Sequence, residues 1–158
     1  FNYVGIRTIV KQHNGSPTMP KFQFIHGDYA SPSTVRELKE QSFDLMVSLY
    51  AGFISESCAK FLKVGGLLLV NSSHGDAALT NFNPQFKLVG VVWPKRSGKK
   101  HGYSGGSYRV DTKNLESYLI PKQKRKPTPP LTVARIKALG RGIAYTRSPF
   151  AYLFERVN

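Results

Sequence analysis

The stretch of sequence that decides the fold is FDLMVSLYAG at residues 43–52, followed by AKFLKVGGLLLVN at residues 59–71. Each contains a nearly unbroken apolar run, which is typical of a strand that is covered on both sides. Residues 54–62 carry apolar side chains at helical spacing, and Gly65-Gly66 is suited to end that helix. Together they predict a strand, a helix and a second, parallel strand.

The same alternation continues on either side. Phe22–His26, Phe86–Trp93 and Phe150–Val157 have the composition of further strands. Helices are predicted from Ser31 to about Gln41, at Asp76–Phe82 and at Leu131–Leu139, while Tyr3–Val10 fits a strand or a helix equally well. We therefore predict an α/β fold, a Rossmann-like, mostly parallel sheet with flanking helices and with a basic insertion before the last strand.

Charge divides the 158-residue chain into two parts. The net charge is +14, and residues 94–148 hold fourteen basic and only two acidic residues. We predict a core formed by residues 1–93 and 149–158, and a recognition segment at residues 94–148, called the basic segment below. A run of charge is often only a solvated surface, but this concentration is typical of proteins that bind polyanions.

Nucleic acid is the predicted partner of the basic segment. Lysine and arginine neutralise phosphates, and the interleaved tyrosines are suited to stack on unpaired bases. The residues predicted to contact nucleic acid are Lys95, Arg96, Lys99, Lys100, Lys122, Lys124, Arg125 and Lys126.

The remaining composition limits the classes of protein that are possible. The apolar runs are too short to cross a bilayer, and the first ten residues lack the pattern of a signal peptide. The single cysteine, Cys58, cannot form an internal disulfide and lies on an apolar helix face, which indicates a core residue. We expect a cytoplasmic protein without a membrane partner. Because the first residue is Phe, we also expect a fragment or a processed chain.

Three runs carry a resemblance to a known family. HGD at residues 26–28, FDLMVSLYAG and AKFLKVGGLLLVN resemble class I S-adenosylmethionine-dependent methyltransferases over about residues 22–93. In that family an acidic residue after the third strand contacts the adenine ring, and a Gly-Gly turn leads into the fifth strand. The resemblance implies that S-adenosylmethionine is the cofactor. It implies contacts to that cofactor from Asp28, Tyr29, Ser48 and Leu49.

Two features of the family are missing from the sequence. No glycine-rich loop precedes Asp28, and residues 1–27 contain no acid to bind the ribose hydroxyls. Gly140-Arg141-Gly142 is the other glycine-rich candidate, but it follows a predicted helix and not a strand. The chain is therefore expected to be an enzyme only if a missing N-terminal segment or a partner chain completes the cofactor site.

Polar residues that follow the predicted strands are the candidates for catalysis. Ligands of open parallel sheets bind at the carboxyl ends of the strands, so the turns after Ile25, Leu49 and Val70 are expected to share one pocket. Tyr50 is suited to stack on a target base, His74 to act as a general base, and Asp76 to orient His74. The structural alternatives are that Tyr50 closes its strand and that the Asn71–Asp76 run caps a helix and forms turns. His74 and Asp76 alone are too few ligands to predict a metal site.

Three functions remain open at this stage. The first is a methyltransferase, or the C-terminal part of one, that acts on nucleic acid. The second is a methyltransferase-like domain that binds no cofactor and serves as a nucleic-acid-binding or scaffold module. The third is a methyltransferase for a small molecule or a protein. Fold alone does not separate them.

Overall fold

The computed structural model describes residues 23–96, 103–123 and 129–158, together with Thr8 and Gln12. The strands are β1 (Phe43–Ser48), β2 (Leu62–Val70), β3 (Phe86–Arg96), β4 (Tyr103–Asp111) and β5 (Ala151–Arg156). The helices are α1 (Pro32–Val35), α2 (Ile54–Ser57), α3 (Asp76–Phe82) and α4 (Val133–Leu139), with 3-10 helices at Ala59–Phe61 and Leu115–Leu119. No helix in these described segments is long and apolar enough to cross a membrane.

The five strands form one mixed sheet in the order β1-β2-β5-β3-β4. β1 and β2 are parallel, whereas β5 is antiparallel to both β2 and β3, and β4 is antiparallel to β3. It follows that β1, β2 and β3 run in one direction and that β4 and β5 run in the other. The predicted mostly parallel, Rossmann-like sheet with flanking helices is therefore wrong.

The prediction of a mostly parallel sheet failed because two of the five strands run in the opposite direction to the other three. An apolar run predicts that a segment is a strand but carries no information about its direction. Tyr152 and Phe154 of β5 are fully buried, as expected of a central strand between β2 and β3, and this burial would be the same for either strand direction. β4, with the sequence YSGGSYRVD, was not predicted because glycine and serine replace the apolar run.

The individual elements agree with the sequence to different degrees. β1, β3, β5, α3 and α4 occur where they were predicted. β2 begins at Leu62, before the strand predicted at Leu67–Val70, so Gly65 and Gly66 lie within a strand and the prediction that they end a helix is wrong. Residues 23–26 form no strand, so the predicted first strand is wrong within the described residues, and Phe22 lies outside them. The helix predicted from Ser31 is limited to one turn, α1, and the helix predicted from Ile54 ends at Ser57. The Tyr3–Val10 segment lies outside the described residues except for Thr8.

The core lies between one face of the sheet and the helices. Leu68, Val91 and Phe154 are fully buried on this face, and Ala77 of α3 and Ile136 of α4 pack against them. Tyr118 and Tyr145, from the basic segment, belong to the same cluster. Described parts of the basic segment thus contribute side chains to the core.

The opposite face of the sheet is largely uncovered. Leu45 and Val47 on β1 are 54% and 55% exposed, and Val110 on β4 is 58% exposed. Leu45 and Val47 lie beside Leu67 and Leu69 of β2, which are only half-buried. The described helices therefore cover one face of the sheet, which also contradicts the predicted flanking on both sides.

Candidate functional site

The loops that follow β1 and β2 are held together by Asn71. Its Oδ1 accepts hydrogen bonds from the Tyr50 N–H at 3.2 Å and from the Ser73 hydroxyl at 2.9 Å. The Asn71 N–H in turn donates to the Ser48 carbonyl at 3.3 Å. Because β1 and β2 are parallel neighbours, both loops emerge at the same edge of the sheet, and the 5% exposed Asn71 links them.

The loop at Asp28–Tyr29 meets the same edge. The Tyr29 hydroxyl lies so close to Gly52 that a Cβ at Gly52 would be 2.5 Å from it. Gly52 also has a φ of +84°. Both this left-handed backbone conformation and the close approach of the Tyr29 hydroxyl favour glycine at this position. Partial burial raises the pKa of Tyr29, and the hydrogen bond from the Phe53 N–H opposes that rise. Three loops therefore converge, although the first does not follow a strand.

Asp76 joins the end of β1 and α2 to the start of α3. It is 2% exposed, and its carboxylate accepts the Ser55 hydroxyl at 2.5 Å and the Ser48 hydroxyl at 3.2 Å. The Ser55 N–H also donates to it at 3.2 Å. Burial raises the pKa of Asp76, and the hydrogen bonds from Ser55 and Ser48 oppose part of that rise.

A fourth segment, at residues 141–142, also approaches this edge. The Gly142 N–H donates to the Ser73 carbonyl at 2.7 Å, and a Cβ at Gly142 would collide with the Ser72 carbonyl oxygen. Glycine is therefore required by close contact with the loop after β2. This brings the exposed, positively charged Arg141 to the edge where the three loops meet. From the sequence, Gly140-Arg141-Gly142 was discounted as a ligand loop because it follows a helix. Its two glycines were nevertheless the signal in the sequence that this segment approaches another loop closely.

The three predicted catalytic residues are not joined into one unit. His74 is exposed, and its imidazole makes no hydrogen bond to another described residue. Asp76 faces Ser48 and Ser55, so it does not orient His74. Tyr50 is 67% exposed and has a φ of +61°, an uncommon conformation for a tyrosine. Tyr50 and His74 remain available to a ligand, while Asp76 holds the loops in place.

The residues that were predicted to contact the cofactor differ in how far their side chains are exposed to a ligand. Asp28 is exposed, and its Oδ1 accepts the Ala30 N–H at 2.9 Å, while its Oδ2 has no hydrogen-bond partner among the described residues. Leu49 is half-buried beside Tyr50. Ser48 is 1% exposed and donates to Asp76, so it does not face a ligand. Of the four predicted contacts, only Asp28 is exposed.

The basic segment presents many cations at the surface. Lys137 pairs with Glu56, whereas Arg109, Lys113, Lys122 and Arg141 form no ion pair with a described acid. Of the predicted nucleic-acid contacts, Lys95 and Lys122 are exposed, and Arg96 ends β3 with its side chain outside the described part. The other five lie outside the described residues: Lys99, Lys100, Lys124, Arg125 and Lys126.

One acid within the basic segment is already engaged. The Tyr118 hydroxyl donates to Asp111 at 2.6 Å, and Arg147 donates to that hydroxyl at 2.5 Å. The Arg147 guanidinium also lies 3.8 Å from the centre of the Tyr118 ring. The hydrogen bond from Tyr118 lowers the pKa of Asp111. Asp111 therefore stays anionic and is bound within the fold. It competes little with an external phosphate for the other basic residues.

The described residues contain no group of three or more His, Cys, Asp or Glu side chains that could hold a metal ion. Comparisons of the chain with protein families, with curated proteins and with solved structures find no match. The site must therefore be interpreted from its own geometry.

Proposed function

We propose that this chain is an S-adenosylmethionine-dependent methyltransferase, or the C-terminal part of one, that acts on nucleic acid. The observation that carries the proposal is the convergence of three loops at the carboxyl ends of β1 and β2, fastened by Asn71 and by Tyr29. Such an edge is where ligands bind when neighbouring strands are parallel. It presents an exposed carboxylate, an exposed aromatic ring and an exposed imidazole, from Asp28, Tyr50 and His74.

In this proposal each exposed side chain has a separate role. Asp28 uses its unpartnered Oδ2 to accept a hydrogen bond from the adenine amino group. Tyr50, fixed by the hydrogen bond to Asn71, stacks on the acceptor base. His74 accepts a proton from the acceptor. The cofactor supplies the methyl group, and its methionine end requires residues beyond those described.

Nucleic acid is proposed as the acceptor because the charge is complementary. The basic segment carries a net +12, and Arg109, Lys113 and Lys122 are exposed cations without an ion-pair partner among the described acids. Each cation that contacts a phosphate releases counterions, so binding should weaken steeply as salt is added. The buried, free thiol of Cys58 fits the reducing cytoplasm that we propose as its location.

Cofactor binding is tested by equilibrium dialysis of radiolabelled S-adenosylmethionine against the whole chain. We expect Asp28→Asn to weaken binding about fivefold to tenfold, because the charged acceptor is lost. The amide that replaces the carboxylate retains an oxygen for the Ala30 N–H, so the loop itself should persist. Glu37→Gln, which removes another exposed carboxylate, is the matched control and should bind normally. A wild-type chain that binds no S-adenosylmethionine at about 1 mM would overturn the proposal that this chain binds the cofactor by itself.

A second candidate is a nucleic-acid-binding module that uses no cofactor. It is favoured by one observation, that Ser48 and Asp76 are buried against each other and leave His74 without an orienting acid. This candidate predicts salt-dependent binding of nucleic acid together with no binding of S-adenosylmethionine. The same dialysis experiment and a titration of labelled nucleic acid at several salt concentrations separate the two.

A further inference from the structure

An aromatic and apolar platform lies on the uncovered face of the sheet, next to the β3–β4 hairpin. It consists of Tyr108, Phe150, Pro94 and Val110, and is called the Tyr108 platform here. Tyr108 is 50% exposed, and its ring centre lies 5.5 Å from that of Phe150 at an angle of 39°. Pro94 is the cross-strand partner of Tyr108, so it lies on the same face.

Two contacts hold the residues of this platform against the sheet. Phe150 is anchored because its N–H donates to the Val92 carbonyl at 2.9 Å. Gly90 lies beneath Val110, since a Cβ at Gly90 would be 3.1 Å from Val110 Cγ1. A larger residue at Gly90 would push Val110 outward. Three of its residues thus belong to the β3–β4 hairpin, and Phe150 immediately precedes β5.

The charged residues next to the platform in sequence are Lys95, Arg109 and Asp111, and Asp111 is already engaged by the Tyr118 hydroxyl. No acidic residue occurs from residue 94 to residue 110, and Lys95 and Arg109 are exposed neighbours of the platform along β3 and β4. Arg109 lies on the other face, with its guanidinium 6.0 Å from the centre of the Trp93 ring. Because β4 is the edge strand, Arg109 lies at the sheet edge one residue from Tyr108 and does not cover the rings of Tyr108 and Phe150.

We propose that the Tyr108 platform binds single-stranded nucleic acid, with an unpaired base stacked on Tyr108 and the flanking phosphate reaching Arg109 around the sheet edge that β4 forms. Tyr108 supplies the exposed ring that base stacking requires, and Arg109, its neighbour in the edge strand, supplies a cation for the phosphate. A duplex has its bases stacked internally and offers none to Tyr108. This inference rests on the nucleic-acid part of the proposed function and adds the kind of nucleic acid and the surface that reads it.

The test is fluorescence anisotropy of a labelled oligouridylate of about 12 nucleotides with the whole chain at low salt. We expect Tyr108→Ala to weaken binding about tenfold and Tyr108→Phe to restore it, because the ring and not the hydroxyl does the stacking. Phe82→Ala removes a 43% exposed ring at the end of α3 and should bind as wild type. A labelled duplex should bind wild type and Tyr108→Ala alike.

The outcomes separate this inference from the function on which it rests. Thermal unfolding of each variant first establishes that it is folded. If folded Tyr108→Ala binds the oligouridylate as tightly as wild type does, the platform is not the binding surface, although the chain still binds nucleic acid. If wild type binds neither the oligouridylate nor the duplex at low salt, the nucleic-acid function fails as well.

Discussion

The amide oxygen of Asn71 and the backbone N–H of Tyr50 are joined by a hydrogen bond of 3.2 Å. This bond connects the end of β1 to the end of β2 and holds an exposed tyrosine at the sheet edge. The same oxygen accepts from the Ser73 hydroxyl, so one side chain orders both loops. The candidate site depends on this arrangement more than on any single exposed residue.

Replacing Asn71 should therefore weaken the fold. Asn71→Ala removes the acceptor of two hydrogen bonds, from the Tyr50 N–H and the Ser73 hydroxyl, and we expect the free energy of unfolding to fall by about 1–3 kcal/mol. Urea unfolding followed by circular dichroism measures this. Asn83→Ala is the control, because the Asn83 side chain accepts only the Gln85 N–H in a half-buried turn. Equal losses in the two variants would mean that Asn71 has no special role.

The left-handed backbone at Tyr50 predicts an unusual response to glycine. Because the φ of Tyr50 is +61°, a side chain is strained there, and Tyr50→Gly should be more stable than Tyr50→Ala by about 1 kcal/mol. The two variants remove the same exposed ring, so their difference reports the backbone alone. Thermal unfolding of both variants provides the comparison. A Tyr50→Ala variant as stable as Tyr50→Gly would contradict the backbone conformation.

The burial of Asp76 predicts the direction in which the stability of the fold changes with pH. Burial raises its pKa in the folded chain, so the unfolded chain loses this proton first as pH rises. The contribution of Asp76 to stability is therefore fully present below its unfolded pKa and is lost as pH rises through its folded pKa. We expect the stability of Asp76→Asn relative to wild type to improve from about pH 3 to pH 7. Urea unfolding across that range would contradict this if the difference stayed constant or reversed.

Arg156 should stabilise the junction between the first 3-10 helix and β2. Its guanidinium is buried and donates to the carbonyls of Ala59 and Leu62. Arg156→Met removes these donors while retaining much of the apolar stem, and we expect a loss of about 2–4 kcal/mol. Arg135→Met is the control, because Arg135 also donates to carbonyls, those of Pro129 and Pro130, but in an exposed loop. It should change stability by only about 0.5 kcal/mol in chemical denaturation.

The sequence predicted the parts of this fold that depend on local hydrophobic pattern. The apolar runs placed β1, β2 and β3, and the parallel arrangement of β1 and β2 brought their loops together as expected. The direction of β5 and the presence of β4 could not be predicted, because both are determined by long-range pairing. Tertiary contacts also determine the partners of Asp76. The sequence predicted that Asp76 orients the nearby His74, whereas in the fold it accepts hydrogen bonds from Ser48 and Ser55.

The site is most directly tested by nuclear magnetic resonance of the isotopically labelled whole chain during titration with S-adenosylmethionine. The account predicts that the backbone amide signals of Tyr29, Tyr50 and Ser73 move together and saturate, since these residues lie on the three loops that meet at one edge. Signals that stay fixed at all three positions while others move, or a spectrum that does not change at all, would contradict it.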